Sequence, residues 1–406
     1  MKTILLISPN ILPIPAVKGG AIETLITNLL DVNESEQCCR FIVTSCVDSA
    51  ANRNGYQKSS VLYLFDGRRC VGKLSLLLGL LWVIYRSAFV LANNRLFRRL
   101  FKTNRREIGK RTFIYAVISR LYNADVIVNE GGLNESEAAY LRDSVGDENI
   151  FNHVHYSRKE DIVVRNAIPN SICISEYVRR QWAATPGIPG RNVVLHNGID
   201  LSLFGIKPDL RARIRGEICV DTQETLVVFC GRIMRAKGIE QLLRAFELLK
   251  DEPIKLLLIG SAEFDNGKET VFSNRMVEKA CCMKNVIPVG YIPNHNMPEY
   301  YQAADIQVIP SICQEGAGLV AIEGMASGLP LITTISGGIT EYVSDDTAIQ
   351  LPINDRLPEN LADAIQELAH DPERRRRMGK AGRERAKLFS KEAYYRNYID
   401  IVLGKE

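Results

Sequence analysis

Gln314–Thr334, QEGAGLVAIEGMASGLPLITT, decides the architecture. The apolar strand Ile306–Ile309 stops just before it, Glu315 and glycines at 316 and 318 follow, and a helical pattern runs through Met325. Leu319, Ile322 and Ala326 fall at three-and-four spacing and are expected on one buried face. Gly328 and Pro330 close the helix, and Leu331–Thr334 resumes as strand. Glu315 and Glu323 stand eight residues apart, which on a helix is a rise of about 12 Å. Paired glycosidase carboxylates sit at about 5–9.5 Å. The spacing therefore suits the two ends of a long ligand, or simply two solvated glutamates. Uncapped N–H groups beside Gly316 and Gly318, which lack side chains, suit an anion or a polar sugar.

Upstream, Leu226–Cys230 enters Gly231-Arg232-Ile233-Met234-Arg235-Ala236-Lys237-Gly238, and a helix is expected through Lys250. Lys255–Ile259 and Val286–Val289 read as further strands. The G-R-x-x-x-K-G turn sets two fixed positive charges at a strand-to-helix switch. Arginine's fork and lysine's point charge together suit a diphosphate; an exposed basic loop is the alternative. From Pro358 two helices follow, the second dense in basic residues (Arg374–Arg377, Lys380, Arg383, Arg385, Lys387) and expected to present a solvated face. Phe389–Leu403 reads as a final aromatic-rich helix.

The first half opens with strand Ile4–Ile7, loop Pro13–Gly20 and helix Ala21–Leu30; Gly19 and Gly20 permit close backbone approach by a ligand. No G-x-G-x-x-G follows the strand, which removes the main signature of a dinucleotide redox domain. Phe41–Ser45 and Val61–Phe65 continue as strands. The apolar run Leu74–Tyr85 is shorter than the ~20 residues a bilayer span needs and reads as a buried or interfacial helix. Asn94–Arg111 reads as a basic amphipathic helix, with Arg95, Arg98, Arg99, Lys102, Arg105 and Arg106 opposite Leu96, Phe97, Leu100, Phe101 and Ile108. Such a helix either lies on an anionic membrane or packs with a solvated basic face.

Asp125–Asn129 ends at Glu130-Gly131-Gly132. Phe151–Tyr156 carries His153 and His155 on one face, as structural histidines or as donor and acceptor groups in a cleft. Ser171–Ile174 and Val193–Leu195 complete the half. The turn His196-Asn197-Gly198-Ile199-Asp200 marks a boundary, after which the alternation of strand and helix restarts. The chain is thus expected to be α/β, with two doubly wound parallel-sheet, Rossmann-like domains over residues 1–200 and 201–388, a cleft between the carboxyl ends of their strands, and a terminal helix over 389–406.

Composition agrees with a globular protein of two or more cores: 406 residues, 46% hydrophobic and 24% charged. Ten cysteines without a C-x-x-C are expected as reduced thiols, with no metal site. MKTILLISPN reads as a first strand rather than a signal peptide, and a cytoplasmic protein is expected, with the inner face of the plasma membrane as its station if the basic helix binds lipid. Nine Lys or Arg and one Glu between Arg86 and Arg111 give +8, so the remainder carries 4 − 8 = −4. A nucleic-acid partner is not expected, because the basicity is confined to this segment.

GRIMRAKG, EGAGLVAIE and GMASGLPLITTISGGITEYV, in that order, resemble the retaining glycosyltransferases of family 4, whose fold is termed GT-B. PVKGGAIET and ISEYVRR extend the resemblance into the first half, towards the spore-coat and surface-polysaccharide branch. The resemblance implies a sugar moved from a UDP- or GDP-type donor to a glycan or lipid-linked acceptor, with no metal or other cofactor. It implies that Arg232 and Lys237 hold the diphosphate after Gly231, that Glu323 takes the ribose hydroxyls, and that Glu315 lies by the transferred sugar. Gly316, Gly318 and Leu319 would sit near its hydroxyls and phosphate, Gly19 and Gly20 on the opposite domain, and His155 on the acceptor side, with His153 as the fallback. The family commonly has Phe where this chain has Ala317, which leaves the donor sugar open. Two other classes remain: a nucleotide-sugar 2-epimerase of the same architecture, and a non-catalytic nucleotide-sugar or carbohydrate-binding protein.

Overall fold

A computed structural model describes residues 1–17, 20–48, 51, 55–66, 69–70, 77–84, 109–155, 164–205, 208–262 and 269–404. The chain divides into two compact units. One comprises Met1–Ile174, Arg179–Leu195 and Tyr395–Glu406; the other comprises Ser175–Val178 and His196–Tyr394.

The first unit is built on an eight-stranded sheet: β1 Lys2–Ile7, β2 Cys39–Cys46, β3 Ser60–Asp66, β4 Arg69–Cys70, β5 Val126–Asn129, β6 Ile150–Val154, β7 Asn170–Cys173 and β8 Asn192–Val194. Their spatial order is β4-β3-β2-β1-β5-β6-β7-β8, parallel except for the β3–β4 edge pair. The order reverses between β1 and β5, and the loops after such a pair of strands leave a crevice at the carboxyl edge of the sheet. Leu5, Ile7, Ile42 and Ile127 join Ile114 and Ile118 of helix Lys110–Leu121 in one core. The terminal helix Lys391–Leu403 contributes Tyr395, whose hydroxyl donates to Asn33 Oδ1 at 2.6 Å, and buried Tyr398.

The second unit has six parallel strands: β9 Thr225–Cys230, β10 Ile254–Ile259, β11 Val286–Gly290, β12 Ile306–Ile309, β13 Leu331–Thr334 and β14 Ala348–Leu351. They lie in the order β11-β10-β9-β12-β13-β14, with the reversal between β9 and β12. Val227 and Phe229 face one apolar cluster while Leu226 and Val228 face another, so both sides of the sheet are covered and the strands are mostly apolar.

Several expectations shift. Ile322 is buried as expected, but the other buried residues of helix Leu319–Ser327 are Ala321, Gly324, Met325 and Ser327, while Leu319 and Ala326 are only half-buried. The reason is that helix Pro372–Ala386 packs against Met325 and Gly328, which brings that side of the helix under cover. Of the basic residues on that second helix, Arg375, Arg383 and Arg385 turn inward, Arg383 donating to the Ser327 carbonyl at 3.2 Å. Arg375 donates to the carbonyls of Leu368 (2.5 Å) and Ala369 (2.6 Å), and Arg385 to Tyr342 (2.5 Å) and Glu341 (2.9 Å), satisfying backbone acceptors that a helix end leaves open. The apolar run at 74–85 is helical over 77–84, yet Leu77, Leu80, Leu81, Val83 and Ile84 are exposed, which removes the buried option. Residues 94–108 of the expected basic helix lie outside the described residues. Gly109 is extended and opens the separate helix Lys110–Leu121, so a single helix does not run through to Arg111. No helix among the described residues is long and apolar enough to cross a membrane.

A Cβ at Gly379 would overlap the backbone carbonyl of Gly328, where helix Pro372–Ala386 meets the end of helix Leu319–Ser327. Gly379→Ala is expected to destabilise by about 1–3 kcal/mol despite alanine's better helix propensity, because a carbonyl cannot rotate aside as a side chain does. A urea midpoint equal to or above wild type would show that the two helices have slack.

Candidate functional site

In the second unit the two loops at the sheet's reversal point carry the charged residues. The loop after β9 turns through Gly231, with exposed Arg232, and a short 3₁₀ turn Arg235–Lys237 ends at Gly238 with φ +70°. Gly238 is required twice over: its backbone is left-handed, and a Cβ would overlap the Pro310 carbonyl at the end of β12. Ile312 and Cys313 then donate their N–H groups to the Ala236 carbonyl at 2.9 and 3.2 Å, tying the two loops together.

This places Lys237 Nζ 2.6 Å from Glu315 Oε1, and the same oxygen accepts from Ser311 Oγ at 2.5 Å. The Glu315 N–H donates to Ser336 Oγ at 3.3 Å, Ser336 donates to the Cys313 carbonyl, and the Gly338 N–H donates to the Glu315 carbonyl at 2.7 Å. Glu315 is therefore clasped by the loops after both β12 and β13. It precedes the helix rather than lying on it, so the 12 Å estimate for a continuous helix does not apply. The carbonyl of Gly316 accepts from Ser175 Oγ at 2.7 Å. Gly318 caps the helix without a side-chain hydrogen bond, which leaves the first-turn N–H groups at Leu319 and Val320 without a cap.

Glu323 stands on the second turn of that helix, partly buried, accepting the Tyr301 hydroxyl at 2.8 Å. Burial pushes its carboxyl up to about 7, against the lowering effect of the tyrosine. The neighbouring loop is fixed by Glu341, which accepts from the N–H groups of Glu176 (2.7 Å) and Tyr177 (2.8 Å) and pairs with His196 at 3.0 Å. Burial works to raise the Glu341 pKa, but these donors hold it below the ordinary value.

In the first unit a second cluster sits at the β1–β5 reversal. Glu130 directly follows β5, and its Oε2 lies 2.9 Å from both His153 Nδ1 and His155 Nε2; Tyr398 OH is 3.4 Å from its Oε1. Burial opposes ionisation of Glu130, but His153 and His155 outweigh it and hold its pKa far below the usual range. Burial and His153 together hold the His155 pKa down against the pull of Glu130. These three are a His/Cys/Asp/Glu group among the described residues whose geometry could hold a metal ion. Gly20, with φ +97°, caps helix Ala21–Glu36, and a Cβ there would overlap Glu23. Glu23 is itself buried, and desolvation pushes it up to about 6. Gly19 lies outside the described residues.

Arg232, Lys237, Glu315, Gly316, Gly318, Leu319 and Glu323 are thus gathered on the loops and helix at one sheet edge, whereas His155 and Gly20 belong to the first unit. The sequence pattern did not single out Glu130, Tyr301, Ser311, Ser336 or Glu341 as partners of these groups. For Glu130 a signal existed, since it is the first residue past a strand beside the reversal point.

Residues 211–385 match the sequence model of glycosyl transferases group 1. The chain carries a group 1 glycosyl transferase domain. Lys237, Glu315 and Glu323 all fall inside this group 1 domain. Over 207 residues the chain is 34% identical to the D-inositol 3-phosphate glycosyltransferase of Segniliparus rotundus, covering 50% of this chain and 45% of that protein. It is 29% identical over 220 residues to the putative teichuronic acid biosynthesis glycosyltransferase TuaC of Bacillus subtilis, covering 53% and 52%. The chain spans about half the length of the curated relatives it matches. Anabaena HepE, solved in complex with UDP-glucose, superposes over 100% of both chains with a TM-score of 0.69 at 15% identity. The group 1 domain and the parallel-sheet unit that precedes it therefore share the GT-B fold.

Proposed function

We propose that the protein is a retaining glycosyltransferase that moves a sugar from a nucleoside-diphosphate donor to a glycan or lipid-linked acceptor. The observation that carries this reading is the Lys237–Glu315 pair at the β9–β12 reversal, with Glu323 beyond it on the same helix. Lys237 and exposed Arg232 supply the positive charge that a departing diphosphate requires. The uncapped N–H groups at Leu319 and Val320 add a dipole of the same sign. Glu323 is the acceptor for ribose hydroxyls, and Glu315, already held by Lys237 and Ser311, presents its other oxygen to the sugar. Catalysis on this reading is electrostatic stabilisation and positioning, with the leaving phosphate taking the acceptor's proton. The nucleoside diphosphate as donor is supported by the UDP-glucose bound in HepE, and a surface polymer as acceptor by the likeness to TuaC.

A panel of UDP and GDP sugars, each supplied well above its dissociation constant, tests the reading. The true donor should raise the melting temperature by mass action and be hydrolysed slowly to free nucleoside diphosphate. An epimerised nucleotide sugar, or binding with no turnover in the presence of acceptor lipids, would replace the transferase reading with one of the two alternatives.

The acceptor end of the proposal includes peripheral contact with anionic membrane. Helix 77–84 leaves five large apolar side chains exposed shortly before the segment of net charge +8. At about 1 kcal/mol per basic residue near such a surface, six arginines and lysines would hold the protein there reversibly. Flotation with phosphatidylglycerol vesicles should be lost when Arg95, Arg98, Arg99 and Arg105 are changed to Gln. Equal flotation of both proteins, or of neither, refutes a charge-driven contact.

A further inference from the structure

The Glu130 cluster contains a constraint that the pairing alone does not exhaust. An ionised carboxylate has lone pairs and no proton, so any ring nitrogen hydrogen-bonded to it must carry the hydrogen. Glu130 Oε2 has two such partners, both at 2.9 Å: Nδ1 of His153 and Nε2 of His155. The two rings therefore use opposite nitrogens. His153 carries its hydrogen on Nδ1, and its Nε2 is buried without a partner, an environment that suits a bare lone pair far better than a stranded N–H. His155 carries its hydrogen on Nε2, so its Nδ1 is the lone-pair nitrogen. Of the two histidines it is His155, the first residue beyond β6, that retains some exposure, at 8% of its surface against 3% for His153.

We propose that Glu130 is a positioning residue that fixes His155 as a hydrogen-bond acceptor at Nδ1, so that the group it meets must be a hydrogen-bond donor, such as a hydroxyl of the acceptor. The chemical consequence is directional. An acceptor hydroxyl beside the attacking one can give its hydrogen to Nδ1 and so be held in place, while the attacking hydroxyl keeps its own proton for the leaving phosphate; the opposite tautomer would present an N–H there and could not accept from that hydroxyl. Tyr398, on Oε1, and the burial of Glu130 at 1% exposure keep water from competing for the carboxylate. The kinetic part of this inference rests on the transferase reading above; the tautomer assignment does not.

The test is long-range ¹H–¹⁵N correlation on the full chain labelled at histidine, of which there are five. Signals are assigned with His153→Asn and His155→Asn. At neutral pH wild type should show His155 with a pyrrole-type Nε2 and a pyridine-type Nδ1, and His153 with the reverse. Glu130→Gln, neutral and able through its NH2 group to donate to a ring nitrogen, should convert or mix at least one tautomer. Tyr398→Phe should leave both unchanged. In transfer assays Glu130→Gln should lower kcat by about 10²-fold, with the donor KM and the donor-induced thermal stabilisation unaltered. A wild-type His155 protonated at Nδ1, or at both nitrogens, overturns the proposal even if Glu130→Gln does not fold. If the tautomers are as stated and no sugar transfer occurs with any donor, the transferase reading fails while the assignment stands.

Discussion

Lys237→Ala should lower turnover by about 10²–10³-fold, the size expected when one preorganised charge is removed from a developing anion. Lys237 Nζ is paired with Glu315 at 2.6 Å, with both side chains only partly exposed. Arg232, by contrast, is exposed and makes no ion pair among the described residues. Removing the lysine leaves Arg232 and Glu315, whose charges cancel, where three groups previously summed to +1. A diphosphate then meets no net attraction at the loop, and the leaving group loses one of its two cations. The fold should survive, because Glu315 keeps Ser311 Oγ and its backbone clasp through Ser336 and Gly338. The measurement is kcat and donor KM for the best nucleotide sugar, alongside the melting temperature. Near-normal turnover with an intact fold would remove Lys237 from the machinery and with it the charge argument for the whole loop.

Both sheets were legible in the sequence for a physical reason. Strands covered by helices on each face are largely apolar, and a run such as Leu226–Cys230 leaves no other option, although Ile306–Ile309 includes the buried Gln307. Even so, β14, Ala348–Leu351, was not legible: it lies at the edge of the sheet, with its two middle residues only half-buried. The glycine turns were legible too, since Gly238 and Gly328 adopt the left-handed backbone that only their residue type takes freely.

The partners of the site residues were not legible, because pairing is set by which loops share a sheet edge. Glu315 meets Lys237 across 78 residues, and Glu130 meets Tyr398 across 268. Periodicity reports on a residue's own element and is silent about such distances. The buried face of helix Leu319–Ser327 has the same origin. Its composition is apolar on nearly every side, so only the position of a helix some fifty residues later decides which side is covered.

Glu323→Gln should make the unliganded protein more stable at pH 8 and at the same time weaken donor binding. Burial holds the Glu323 carboxyl at about 7 in the folded chain, against an ordinary 4.5. A carboxyl whose folded pKa lies above its unfolded one binds an extra proton when folded. Its favourable contribution is complete below pH 4.5, declines as the pH rises from there to 7, and is absent above. The full span is up to ~3 kcal/mol. Gln, permanently neutral, escapes this loss, so the variant's melting temperature should exceed that of wild type at pH 8 and match it near pH 5.

Donor binding runs the other way. Ribose hydroxyls are donors, and an ionised carboxylate accepts from them more strongly than an amide, by about 1–2 kcal/mol. Binding should therefore expel a proton from Glu323 when the pH is below 7. Titration calorimetry at pH 6 in buffers of different ionisation enthalpy should find close to one proton released per donor, falling towards zero at pH 8 and absent in Glu323→Gln. The variant's donor Kd at pH 8 should rise by about 10-fold or more, since 1.4 kcal/mol is a factor of ten. Proton release unchanged in the variant would mean that another group titrates on binding. A variant that is both more stable and equally tight would mean that the ribose does not reach position 323.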